Sequence, residues 1–171
     1  KKIDFVFEIN NKVLRFNDIK ITQNNNEFLI PELVASKKEK EYLILGKLNT
    51  NNTRLIKNEI NNFINDDFLE LDIEEILFSS KNNFKFKINK DFQIKNLDLK
   101  SDIDLDNLKF KNPLKIKKIF PKIKKNFILK NQKLKFEYNK DILNIVGSGD
   151  VLTQNEIDKI DFEIFKSKNE V

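Results

Sequence analysis

The feature that most constrains what this chain can fold into is an alternation of apolar and polar residues with a period of two. Ile3, Phe5, Phe7 and Ile9 alternate with Asp4, Val6 and Glu8 before a turn at Asn10-Asn11. Leu14 and Phe16, then Ile19 and Ile21, continue the pattern to a break at Asn24-Asn25-Asn26. Residues 28–34 and 42–48 read as two more strands around a Lys-rich loop. Successive side chains of a strand point to opposite faces, so the pattern predicts half-buried antiparallel strands, greasy on one side and wet on the other.

The second half carries the same signal more cleanly. Phe84, Phe86 and Ile88 share a face, and a turn follows at Asn89-Lys90-Asp91. Phe92 and Ile94, then Leu97, Leu99, Ile103 and Leu105, then Leu108 and Phe110 continue it, with a one-residue slip at each join. A slip would turn the apolar set toward water unless a bulge absorbs it. Bulges are therefore predicted near Lys95-Asn96 and Asp106-Asn107, and with them a strongly curved sheet. Residues 113–127 are irregular, and Pro113 and Pro121 exclude a central strand there. Leu134, Phe136 and Tyr138 form a strand, a turn follows at Asn139-Lys140-Asp141, and Leu143 with Ile145 form the next. Ile160, Phe162 and Ile164 form the last, for a total of roughly eight to ten strands.

One stretch has the other period. Leu55, Ile56, Ile60, Phe63 and Ile64 follow helical spacing and predict an amphipathic helix over residues 53–65. The expected fold is thus mostly β with one amphipathic α-helix. Its sheet is curved, largely antiparallel, and forms a groove or open-sided barrel. Residues 1–171 are expected to make one β-rich domain, with a soft seam near 66–80. The absence of Met and the Lys1-Lys2 start suggest a piece of a longer protein.

Composition removes several kinds of chemistry. The chain has no His and no Cys, so a zinc site, a thiol nucleophile and a His base are unavailable within it. Three Gly leave no phosphate-cradling loop. Ser79, Ser80, Ser101, Ser148 and Ser167 have no His partner, and Gly147-Ser148-Gly149 reads as a strand-end turn. The acidic residues Asp66, Asp67, Glu70, Asp72, Glu74 and Glu75 alternate with Leu69, Leu71 and Ile73, as the wet side of a strand would. No enzyme activity, cofactor or metal is expected.

Residues 109–135 hold eleven Lys and no Asp or Glu. Such a run is either a solvated face or a contact for phosphate. For the second, Lys115, Lys117, Lys118, Lys122, Lys124 and Lys125 are the candidates for anionic lipid headgroups. With only two Arg in the chain and no base-stacking aromatic motif, nucleic acid is not an expected partner.

The stronger candidate is the apolar face itself, because a sheet with one greasy face must have it covered. The residues expected to face a lipid-lined groove are Phe84, Phe86, Ile88, Phe92, Ile94, Leu97, Leu99, Ile103, Leu105, Leu134, Phe136, Tyr138, Leu143 and Ile145. The competing readings are a structural β-sandwich whose apolar faces cover each other, and a Lys-rich module for anionic membrane surfaces.

The stretch 84–165 resembles the AsmA-like proteins, the bridge-like lipid transport group that includes YhdP and TamB. The resemblance rests on FKFKINKDFQIKNLDLKSDIDLDNLKF, on the Lys-rich IKKIFPKIKKNFILKN with its Phe120-Pro121, and on KLKFEYNKDILNIVGSGDVL with its Gly-x-Gly strand end. It implies a non-enzymatic β-groove segment in the periplasm of a diderm bacterium, its parent anchored in the inner membrane. There it would line a hydrophobic conduit for phospholipid between inner and outer membranes. The implied partners are phospholipid acyl chains and flanking β-groove segments of the same chain, with the membrane surface as a further contact.

Overall fold

The computed structural model describes residues 2–10, 12–60, 72–112 and 119–167. They form one nine-stranded antiparallel sheet in which spatial order equals chain order. The strands are β1 (Lys2–Asn10), β2 (Val13–Gln23), β3 (Asn26–Lys38), β4 (Glu41–Ile56), β5 (Ile73–Ile88), β6 (Ile94–Lys111), β7 (Asn126–Asn139), β8 (Ile142–Leu152) and β9 (Asp158–Ser167). Each strand pairs with its chain neighbours, and β1 does not close onto β9, so the sheet stays open. Among the described residues no helix is long and apolar enough to cross a membrane.

The connections differ at the two ends of the strands. One end carries only short turns, including Lys140-Asp141, where both residues take the positive φ of a mirror-image hairpin turn. The other end carries the two long connections, between β4 and β5 and between β6 and β7, together with a five-residue turn between β8 and β9. The short Asn24-Asn25 turn, also left-handed at both residues, shares that end. Asn and Asp tolerate this conformation because their short polar side chains bond locally.

Both bulges read from the slips are present. The β5–β6 register shifts between Lys85 and Lys87, opposite Lys95 and Asp98, and again between Leu77 and Phe78, opposite Leu105 and Asn107. Further shifts fall in β1–β2, β3–β4, β4–β5 and β7–β8. Most of them form a diagonal seam across the sheet. Bulges bend strands and increase twist, which accounts for a curved sheet.

The helix expectation needs correction. Residues 53–56 belong to β4, where Thr53 pairs with Phe78 and Leu55 with Ile76. Among the described residues the helix is the single turn α1 (Lys57–Ile60), and residues 61–65 lie outside the described residues. Leu55 and Ile56 fit either period. Ladder hydrogen bonds to β5 outweigh an isolated short helix, which is marginal on its own.

Candidate functional site

Register places most of the apolar residues of the nine strands on one face, while Val34, Leu45, Val146 and Phe165 fall on the other. The row Gly46, Phe84, Leu99, Tyr138, Leu143 crosses β4 to β8, each residue paired with the next. The row Asn82, Ser101, Phe136, Ile145, Ile164 lies beside it. The third is Ser80, Ile103, Leu134, Gly147, Phe162. Phe78, Leu105 and Gln132 form the fourth. Phe86 and Ile88 continue β5 in phase, Ile88 pairs with Ile94, and the bulge brings Leu97 back into line. Thirteen of the residues expected to line a groove therefore share this face.

Phe92 does not. It sits in the β5–β6 turn with a positive φ of 59° and is 86% exposed. The Asn89 side chain holds that turn by accepting from the Asp91 and Gln93 N–H groups. These local bonds override the alternation that had placed Phe92 on a strand.

The first half contributes as much to the face as the second. Ile30, Leu33 and Ile44 join Phe84, Phe86, Ile88, Leu97 and Leu99 around a cleft of about 520 Å³ whose lining is wholly apolar. Phe5, Phe7 and Phe16 cluster nearer the β1 edge, with ring centroids 6.0–6.3 Å apart. The face is most buried toward the end with the long connections. There Phe110 and Phe127 meet edge to face at 5.8 Å.

Two glycines let aromatic rings lie flat on this face. A Cβ on Gly46 would stand 2.4 Å from Phe84 Cζ, and one on Gly147 would stand 2.4 Å from Phe162 Cζ and 2.6 Å from Leu134 Cδ2. Gly147→Val is expected to lift the Phe162 ring and cost about 1–3 kcal/mol, as overpacking does. A lower denaturant midpoint that Phe162→Ala partly restores would confirm the contact.

The floor is not apolar throughout. Thr50, Thr53, Ser80, Ser101 and Gln132 are buried in it. The Thr50 and Ser80 hydroxyls bond each other at 3.0 Å, and Asn82 donates to Ser80 Oγ and to the Leu48 carbonyl. Gln132 Nε2 donates to the Lys130 and Asp150 carbonyls across the bulge at Asn131. Asn82 and Gln132 thereby bond backbone carbonyls beside the bulges. Thr53 Oγ1 and Gln132 Oε1 have no hydrogen-bond partner among the described residues. The alternation of apolar residues did not mark this band, although Ser80 and Asn82 lie in phase with Phe84, and Ser101 with Leu99.

The opposite face is wet and charge-alternating. Cross-strand ion pairs include Arg15–Glu32 at 3.0 Å, Lys20–Glu27 at 2.7 Å and Lys109–Glu74 at 2.6 Å. Hydrogen bonds from Lys111, then Lys57, hold the Asp72 carboxyl below its ordinary range. Lys109 does the same for Glu74, and Lys159 for Asp150. A carboxylate lowered in the folded state contributes stability above its unfolded pKa and loses it as pH falls through the folded value. The melting temperature is thus expected to hold at neutral pH and decline below about pH 4.5. The decline should be modest, because the pairs are exposed. A melting temperature unchanged from pH 6 to pH 3 would refute this.

Of the candidate headgroup lysines, Lys122, Lys124 and Lys125 lie in the β6–β7 connection. Lys115, Lys117 and Lys118 lie outside the described residues. Asp66, Asp67 and Glu70 of the acidic stretch do too, while Asp72, Glu74 and Glu75 pair with lysines and Arg54. The described residues contain no group of His, Cys, Asp or Glu that could hold a metal ion. Tyr138, on the groove face, turns its hydroxyl to Asp141 at 3.0 Å, which raises the phenol's pKa. The chain has no significant match among protein-family models, curated proteins or solved structures.

Proposed function

We propose that this chain is a non-enzymatic trough segment whose apolar face lies against the acyl chains of phospholipid. The observation that carries this is the shallow, wholly apolar depression lined by Ile30, Leu33, Ile44, Phe84, Phe86 and Leu99 on an open sheet. One sheet without a second packed on it among the described residues favours a trough over a closed sandwich. Each methylene buried there contributes about 0.8 kcal/mol, so a single acyl chain supplies ample affinity. Together with the resemblance to AsmA-like proteins, this supports a segment of a periplasmic bridge-like protein that conveys phospholipid between two membranes. Neighbouring segments of that protein would continue the groove at its edges.

The test is titration of the delipidated chain with a fluorescent long-chain alkyl probe, followed by native mass spectrometry after exposure to phospholipid. Binding of the probe with little dependence on salt, and retention of phospholipid mass, are the expected results. A chain that stays folded yet takes up neither probe nor lipid would overturn the proposal.

A further inference from the structure

Among the described residues, the Lys-rich stretch is less basic in the fold than in the sequence, except at one point. Lys109 pairs with Glu74 and Lys111 with Asp72. Lys130, Lys133 and Lys135 stand directly across the ladder from Asp150, Asp104 and Asp102. Lys122, Lys124 and Lys125, in the β6–β7 connection, have no ion pair among the described residues. Just before them stand Ile119 and Phe120, 72% and 51% exposed.

The segment is tied to the body of the protein. Ile123 N–H donates to the Phe120 carbonyl at 3.1 Å, Lys124 N–H to Thr153 at 2.8 Å, and Asn112 N–H to Lys125 at 2.9 Å. The Asn112 side chain adds a bond to the Lys124 carbonyl at 3.2 Å. These bonds fix the lysine side of the turn and leave the two apolar side chains in water.

An anionic bilayer presents a negative headgroup layer over an apolar one, and this tip offers the matching pair of surfaces. We propose that Ile119 and Phe120 enter the headgroup–acyl boundary of an anionic membrane while Lys122, Lys124 and Lys125 lie on its phosphates. A nucleic acid would engage the lysines and leave Ile119 in water. Membrane contact here sets the long-connection end of the sheet on the bilayer, and it holds whether or not the trough carries lipid.

The chain lacks tryptophan, so Phe120→Trp introduces a single reporter at an exposed position. With vesicles of equal parts phosphatidylcholine and phosphatidylglycerol, its emission is expected to shift to the blue and be quenched by tail-brominated lipid. Phosphatidylcholine alone should give neither. Replacing all three lysines with serine is expected to weaken binding on the order of a hundredfold, about fivefold per lysine. Ile119→Ser with Phe120→Ser should leave residual binding that salt abolishes. Binding without a blue shift, equal binding to neutral vesicles, or displacement by a single-stranded oligonucleotide would each overturn the proposal. Sedimentation of the unaltered chain with both vesicle types, at low and high salt, checks the dependence on anionic lipid without any variant.

Discussion

Aspartate in place of Leu99 is expected to lower alkyl-probe affinity tenfold or more while the chain stays folded, whereas aspartate in place of Leu105 is expected to unfold it. The two leucines lie on the same face of β6, six residues apart, but in different surroundings. Leu99 lines the open cleft and is only partly buried, so a carboxylate there reaches water and spoils the lining. Tenfold corresponds to about 1.4 kcal/mol, less than two buried methylenes supply. Leu105 is 3% exposed, between Phe78 and Gln132. Removing its side chain alone costs about 2–5 kcal/mol, and burying an unpaired carboxylate adds to that. The sum rivals the whole stability of a typical domain, about 5–15 kcal/mol. Probe titration and urea denaturation of both variants separate the effects. If Leu99→Asp melts out as readily as Leu105→Asp, the face is a sealed core and not a trough.

Phe127→Ala is expected to destabilise the sheet by about 3–5 kcal/mol, and Phe110→Ala by a similar amount. The two rings are buried, pair directly between β6 and β7, and meet at 86°. An edge-to-face contact adds about 0.5–1.5 kcal/mol beyond the area it buries, so the double variant should cost less than the two singles summed. Additive losses would mean that the rings act only as separate fillers. These substitutions also probe the buried end of the face, away from the cleft at Phe84 and Leu99. Alkyl-probe binding to the protein that remains folded should change little.

Much of this arrangement could be read from the chain before folding. Alternation located all nine strands in outline, and the slips at Lys95-Asn96 and Asp106-Asn107 located two bulges, because a one-residue error exposes an entire greasy face. Residues 53–56 misled because Leu55 and Ile56 satisfy two periods at once, and only the partner strand β5 decides between them. Phe92 misled for a local reason, since backbone N–H groups donating to the single Asn89 side-chain oxygen fixed the turn. The buried Thr50, Ser80 and Ser101 were in phase with the apolar set, yet their small polar side chains carried no hydrophobic signal. The Ile119-Phe120 tip was hidden differently. Nothing in the linear sequence shows that, among the described residues, five of the neighbouring lysines face carboxylates while three do not.

An odd number of strands joined in simple succession has a geometric result. The first and last strands run the same way, so the two unpaired margins are parallel to each other and not opposed. Two copies could abut β9 against β1 in antiparallel fashion only if one were inverted, which would turn its oily surface to the other side. A shared oily surface spanning two copies therefore requires either like margins joined about a twofold axis or a parallel seam.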